Sequence, residues 1–117
     1  MATIKRFEDL EIWQISRQLC KEVCKLAERN EFSRDLKLKM QIKGSSGSVV
    51  DNIAEGFERE GNAEFKQALY ISKGSAGETR SQLYRAFDQE MISEEELKNL
   101  KERYIALSVK LKISSNT

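Results

Sequence analysis

Phe65, Leu69, Ser72, Ala76, Thr79, Leu83 and Ala86 alternate steps of four and three without a miss. A 3.5-residue repeat held that long marks a helix with one face committed to an interior. The 117 residues include no proline and only six glycines, and 33% charged against 39% hydrophobic side chains suits long amphipathic helices better than strands. An all-α protein is expected.

The remaining segments follow the same pattern. Between Asp9 and Arg29, one heptad column holds Ile12, Leu19 and Leu26, the next Trp13, Cys20 and Ala27, and a third Ser16 and Val23, which together make a wide buried face. Ser33 is placed to cap a second helix and Asn62 a third. Ser93 and Glu96 have capping-box spacing, flanked by Ile92 and Leu97 as a hydrophobic staple, and Leu97, Leu100, Tyr104, Leu107 and Leu111 carry the apolar stripe onward. The pattern predicts helices over residues 9–29, 34–57, 62–89 and 94–113 of a single domain spanning 1–117. Short connections force antiparallel neighbours, hence an antiparallel up-down-up-down four-helix bundle.

The second helix contains residues that weaken a helix standing alone. Gly44 and Gly47 lie among Ser45, Ser46 and Ser48, and an interior glycine costs about 1 kcal/mol against alanine. A second small patch, Gly74-Ser75-Ala76-Gly77, falls in the middle of the third helix. Gly44, Gly47, Gly74 and Gly77 are therefore expected to mark the place where two helix backbones cross closely.

Composition excludes several function classes. With no histidine there is no ready general base near neutral pH and neither a Ser-His nor a Cys-His pair. The Gly-Ser runs lack the Gly-Lys-Ser/Thr ending of a phosphate loop. Cys20 and Cys24 are the whole cysteine complement, too few for an ordinary four-ligand zinc site and poorly directed for a disulfide within one helix. We expect two reduced, partly buried thiols in a cytoplasmic setting, no catalytic residues, and no metal, cofactor or small-molecule ligand. No apolar run is long enough to span a membrane, and Met1 to Phe7 has no secretion-signal core.

The net charge of +1 gives no global case for nucleic acid. Residues 25–43 hold six basic and three acidic side chains and residues 88–96 hold five acidic and none basic, so these two segments should neutralise each other at one bundle end. At the other end Glu55, Glu58, Glu60 and Glu64 are expected opposite Lys5, Arg6, Lys110 and Lys112. Lys37, Lys39, Lys43, Lys98, Lys101 and Arg103 remain as candidates for weak RNA or DNA contact. Among polar residues near the core stripe, Asn52 and Glu55 are expected to bond across the bundle to the third helix or to loop backbone near Asn62, and Glu78 to meet a neighbouring subunit or a basic residue such as Arg80, the alternative being that Glu55 and Glu78 point to water. Tyr70, Tyr84 and Phe87 exceed what four seams need and are candidate contacts between subunits.

The stretches Phe7-Glu8-Asp9-Leu10-Glu11-Ile12-Trp13-Gln14 and Ser48-Val49-Val50-Asp51-Asn52-Ile53-Ala54-Glu55-Gly56, with Gln41-Ile42, Arg59, Glu64-Phe65, Gly74-Ser75, Glu78 and Gln82-Leu83, resemble the bacterial four-helix bundle proteins of the 23S rRNA intervening-sequence family. The resemblance runs from Phe7 to about Ile113. It implies a homo-oligomer of bundles, a pentamer by analogy with the related accessory bundles of diversity-generating retroelements, which bind nucleic acid through a basic surface. Lys43-Gly44 stands where the family usually has two arginines, and Val50 replaces a common proline. The reading is a non-enzymatic oligomeric scaffold or nucleic-acid-associated protein. The alternative is a purely protein-binding adaptor.

Overall fold

A computed structural model describes residues 3–116. Its helices are α1 (Glu11–Ala27), α2 (Leu36–Glu58), α3 (Asn62–Asp88) and α4 (Glu94–Ser115), with 3-10 turns at Phe7–Asp9 and Asn30–Arg34 and no strand among the described residues. Partners across three of the four seams run in opposite order. Glu11 and Glu22 of α1, and Arg29 just beyond it, meet Lys110, Arg103 and Glu96 of α4, and Ser45, Ser48 and Val49 of α2 meet Thr79, Ser75 and Ser72 of α3. Cys20 of α1 and Glu28 at its C-cap likewise meet Ser46 and Lys43 of α2. The result is an up-down-up-down bundle measuring 47 × 22 × 19 Å.

The periodic positions fill one continuous core. Leu69, Ser72, Ala76, Thr79, Leu83 and Ala86 are all buried, with Phe65 packed at the core's edge. They face Ile42, Val49 and Ile53 of α2, Leu19 and Val23 of α1, and Leu100, Tyr104, Leu107 and Leu111 of α4.

Cap positions differ from expectation in two places. A 3-10 turn absorbs Ser33, whose hydroxyl donates to the Asn30 carbonyl, and Asp35 caps α2 by accepting from the Leu38 amide at 3.0 Å. Asn62 is already inside α3, which starts from Gly61 without a side-chain cap. The capping box at Ser93 and Glu96 forms as expected. Glu90 adopts a left-handed conformation (φ 61°) that reverses the chain after α3, so that the Met91 amide donates to Ala86 O at 2.9 Å. This turn seats Met91 and Ile92 in the core.

Candidate functional site

The α2–α3 seam carries most of the chain's buried polar chemistry. Ser45 Oγ donates to Gln82 Oε1 at 2.6 Å and lies 2.7 Å from Thr79 Oγ1. One turn along, Ser48 and Ser75 hydroxyls are 3.0 Å apart, and Ser72 donates to the Val49 carbonyl at 2.7 Å. Direct hydroxyl contacts of this length bring the two backbones close, and each buried group gains the partner it needs.

The glycines do not make that approach. A methyl added at Gly44, Gly47, Gly74 or Gly77 would meet nothing within 4 Å, so the expected glycine crossing is corrected. These positions fall a third to half a turn from the buried stripe, leaving Ser45, Ser72, Ala76 and Thr79 to face the seam. Gly56 is the glycine pressed against another helix, since a Cβ there would overlap the Ala68 methyl, whereas a Cβ at Gly61 would meet the movable end of Glu64.

Other expected site residues separate in the structure. Asn52 bonds within its own helix, donating to Ser48 O at 2.8 Å and Ser48 Oγ at 2.9 Å, and reaches α3 only through the Ser48–Ser75 pair. Glu55 points to solvent and pairs with Arg59 at 3.5 Å, not across the bundle. Glu78 is exposed and forms no ion pair with Arg80 among the described residues. Tyr70 and Tyr84 are half-exposed, with Lys101 Nζ 5.5 Å from the Tyr84 ring centroid. Phe87 turns inward against the core, because it lies one residue from buried Ala86 on the inner arc of α3.

The six candidate cations form no single patch. Lys37, Lys39 and Lys43 lie on α2 and Lys98, Lys101 and Arg103 on α4, diagonal helices separated by α1 and α3. Lys43 and Lys39 both reach Glu28, at 2.6 and 3.4 Å, and hold its carboxyl below the usual range. Arg103 grips Glu22 through two bonds of 2.7 and 2.5 Å and lowers that carboxyl too. Lys37 and Lys98 are exposed and carry no ion pair among the described residues.

Between the basic and acidic segments at one bundle end Arg29 clamps Glu96, the one ion pair that joins them among the described residues, while Lys39 and Lys43 turn to Glu28 within their own segment. At the other end Lys110 instead takes Glu11, at 2.7 Å, and Arg6 takes Asp9.

Three features escaped sequence reasoning. Leu36 and Met40 are exposed apolar residues on the outer side of α2, detectable from their position opposite Leu38 and Ile42 on a helical wheel. Tyr104, on the α4 stripe, buries a hydroxyl with no hydrogen-bond partner among the described residues. Cys20, Cys24 and Ser46 gather between α1 and α2, where burial pushes the Cys20 thiol above its ordinary value. No signal in a single sequence sets a serine of the second helix against that thiol pair.

No group of three or more His, Cys, Asp or Glu side chains arranged to hold a metal occurs among the described residues, and no helix there is long and apolar enough to cross a membrane. The geometry defines a helical bundle whose polar interior is hydroxyl-based and structural. Residues 8–112 match the family model of the 23S rRNA-intervening sequence protein, and the chain belongs to that family. It is similar in fold to a crystal structure from Bacteroides thetaiotaomicron VPI-5482, a protein with unknown function from the S23 ribosomal protein family. That likeness has a TM-score of 0.83 at 22% identity and covers 91% of this chain and 96% of the other. Among curated proteins no significant match was found.

The residues that carry the family resemblance occupy structural places. Phe7 and Trp13 meet edge to face with centroids 5.2 Å apart, while Ile53 and Gly56 are buried at the α2–α3 seam.

Proposed function

We propose that this protein acts as a non-enzymatic, self-assembling scaffold, a homo-oligomer of bundles arranged as a pentamer, in a cytoplasmic setting. The observation that carries the reading is the outer α3–α4 face. Tyr70 and Tyr84 are 14 residues apart and so share one side of α3, and Ile105, Val109 and Ile113 follow at steps of four on α4, each 42–60% exposed. Apolar groups set in a row are what a subunit contact covers.

Light scattering on the eluting protein tests this. The expected mass is five times the 13.5 kDa chain mass, falling to one chain with unchanged helicity in Tyr84→Asp/Ile105→Asp. A monomer at all concentrations would end the proposal.

Nucleic-acid contact is the weaker part of the reading. Neutralisation of Lys39, Lys43 and Arg103 by carboxylates favours the protein-binding adaptor, leaving Lys37 and Lys98 as the readiest phosphate partners. Binding through them would be feeble and would weaken steeply with salt. A gel-shift titration with rRNA and duplex DNA at low salt separates the two readings, and no shift selects the adaptor.

A further inference from the structure

The scaffold reading uses one apolar face, on the outside of α3 and α4, and a closed ring needs a second. In a cyclic assembly of more than two copies each contact is heterologous, so a patch on one subunit meets a different patch on the next. The surface that covers Tyr70, Tyr84, Ile105 and Val109 then lies elsewhere on this same chain.

The outer side of α2 has the required character. Met40 and Leu36 are 68% and 62% exposed, the two most exposed large apolar side chains among the described residues. Gly44, Gly47 and Asp51 continue their line at steps of four and three, opposite the buried stripe of Leu38, Ile42, Val49 and Ile53. Glycine weakens a helix interior, and a methyl at Gly44 or Gly47 would meet nothing within 4 Å, so packing inside the bundle gives no reason for either. A neighbouring surface laid over α2 does, because the two missing side chains let it come close. The helices α2 and α4 are diagonal, so the two faces are separate and one copy can use both at once.

Charge and height select the partner. Asp51 and Glu58 hold no ion pair among the described residues, and neither do Lys66 and Lys73. Lys66 and Lys73 stand five and three whole helical turns before Tyr84, on its side of α3. Within the bundle Ser45, Ser48 and Val49 are level with Thr79, Ser75 and Ser72. A ring whose axis runs along the bundle keeps each residue at its own height in the next copy. Met40 of one copy then comes beside Tyr84 of the next, Gly47 beside Gly77, Asp51 within a turn of Lys73, and Glu58 within a turn of Lys66. Apolar meets aromatic at one end, bare backbone meets bare backbone in the middle, and each unpaired carboxylate meets an unpaired ammonium.

We propose that the outer face of α2 in one copy seats on the α3–α4 face of a second copy, with Asp51–Lys73 and Glu58–Lys66 as the ion pairs between them. This contact rests on the scaffold reading and supplies the half of the interface which that reading lacks. The opposed charges fix its register and direction, as complementary charges across an interface do.

Sedimentation velocity on the full chain over a dilution series tests the contact, with the parent, Asp51→Lys, Lys73→Asp and the double variant Asp51→Lys/Lys73→Asp. Facing like charges oppose association, so each single variant should need about tenfold more protein to assemble. The double variant reverses the pair and should assemble near the parent's concentration. Met40→Glu should also weaken assembly. Asp51 and Lys73 hold no ion pair within the bundle, so the helicity of all variants should match the parent's. A parent that stays monomeric at every concentration would end the scaffold reading and this contact with it. A parent that assembles while either single variant matches it, or a double variant no better than the singles, would overturn the contact and leave self-assembly standing. So would a mass of two chains, which a two-fold contact between like faces produces.

Discussion

Two seams of this bundle are closed by opposite means. Along α2–α3, the most extensive helix contact, short hydroxyl side chains bond directly between neighbouring backbones and are buried. Along α1–α4, the least extensive of the four adjacent contacts, long side chains bridge the gap at the surface as Glu11–Lys110, Glu22–Arg103 and Arg29–Glu96. Backbone separation explains the difference. Where helices nearly touch there is no room for an arginine, and a buried neutral hydrogen bond is costly to leave unmade; where they stand further apart, long charged side chains bridge the rim outside the shared core, and such pairs contribute little. Register therefore resides in α2–α3, since sliding one helix past the other by a turn would strand Ser45, Thr79 and Gln82.

The sharpest way to break this contrast is Gly56→Ala. Its methyl would fall inside that of Ala68, and forcing the helices apart should cost about 2 kcal/mol, in the range for overpacking. Urea unfolding would read the loss, and a neutral result would mean that the seam is not tight. Ser45→Ala should follow at about 1–2 kcal/mol, because Gln82 Oε1 loses its donor and Thr79 a neighbour inside the core. That loss should not respond to salt or to mild acid.

Gly44→Ala and Gly47→Ala should move the other way. Nothing lies within 4 Å of either added methyl, so each should gain about 1 kcal/mol from helix propensity alone. The sign reversal against Gly56→Ala, measured in the same urea series, separates a glycine required by packing from one that packing ignores. A loss at Gly47 that appears only at high protein concentration would mean that another chain covers this face of α2.

These same positions show how much the sequence could say. The 3.5-residue repeat of α3, the capping box at Ser93 and the count of four helices were legible, because periodicity and capping are local. That small residues imply close helices was legible as well, but not which ones. In a run such as Gly44-Ser45-Ser46-Gly47 the inward face is decided by about 100° of helix phase per residue, and the flanking Ile42 and Val49 place the serines inward. Phe87 packs against the core's edge for a similar reason, one residue of phase from buried Ala86. The Ser46 hydroxyl beside Cys20 and Cys24 was not legible, because its position depends on the depth at which α2 packs against α1.

The smallest expected effect tests the α1–α4 side. Arg103→Ala should cost about 0.5 kcal/mol, as exposed ion pairs do, and less in high salt. Its pH dependence gives the finer test. Arg103 holds the Glu22 carboxyl, and Arg29 the Glu96 carboxyl, below their ordinary values in the folded chain. The stabilisation is therefore fully present above the unfolded carboxylate pKa of about 4.3 and is lost as pH falls through the lower folded values. Urea midpoints for Arg103→Ala and the parent protein should converge over that acid window. The difference between Ser45→Ala and the parent should persist through it, because no group in the Ser45–Thr79–Gln82 set titrates. If the Ser45 difference also vanished in acid, the α2–α3 seam would depend on charge after all and the two closures would not be distinct.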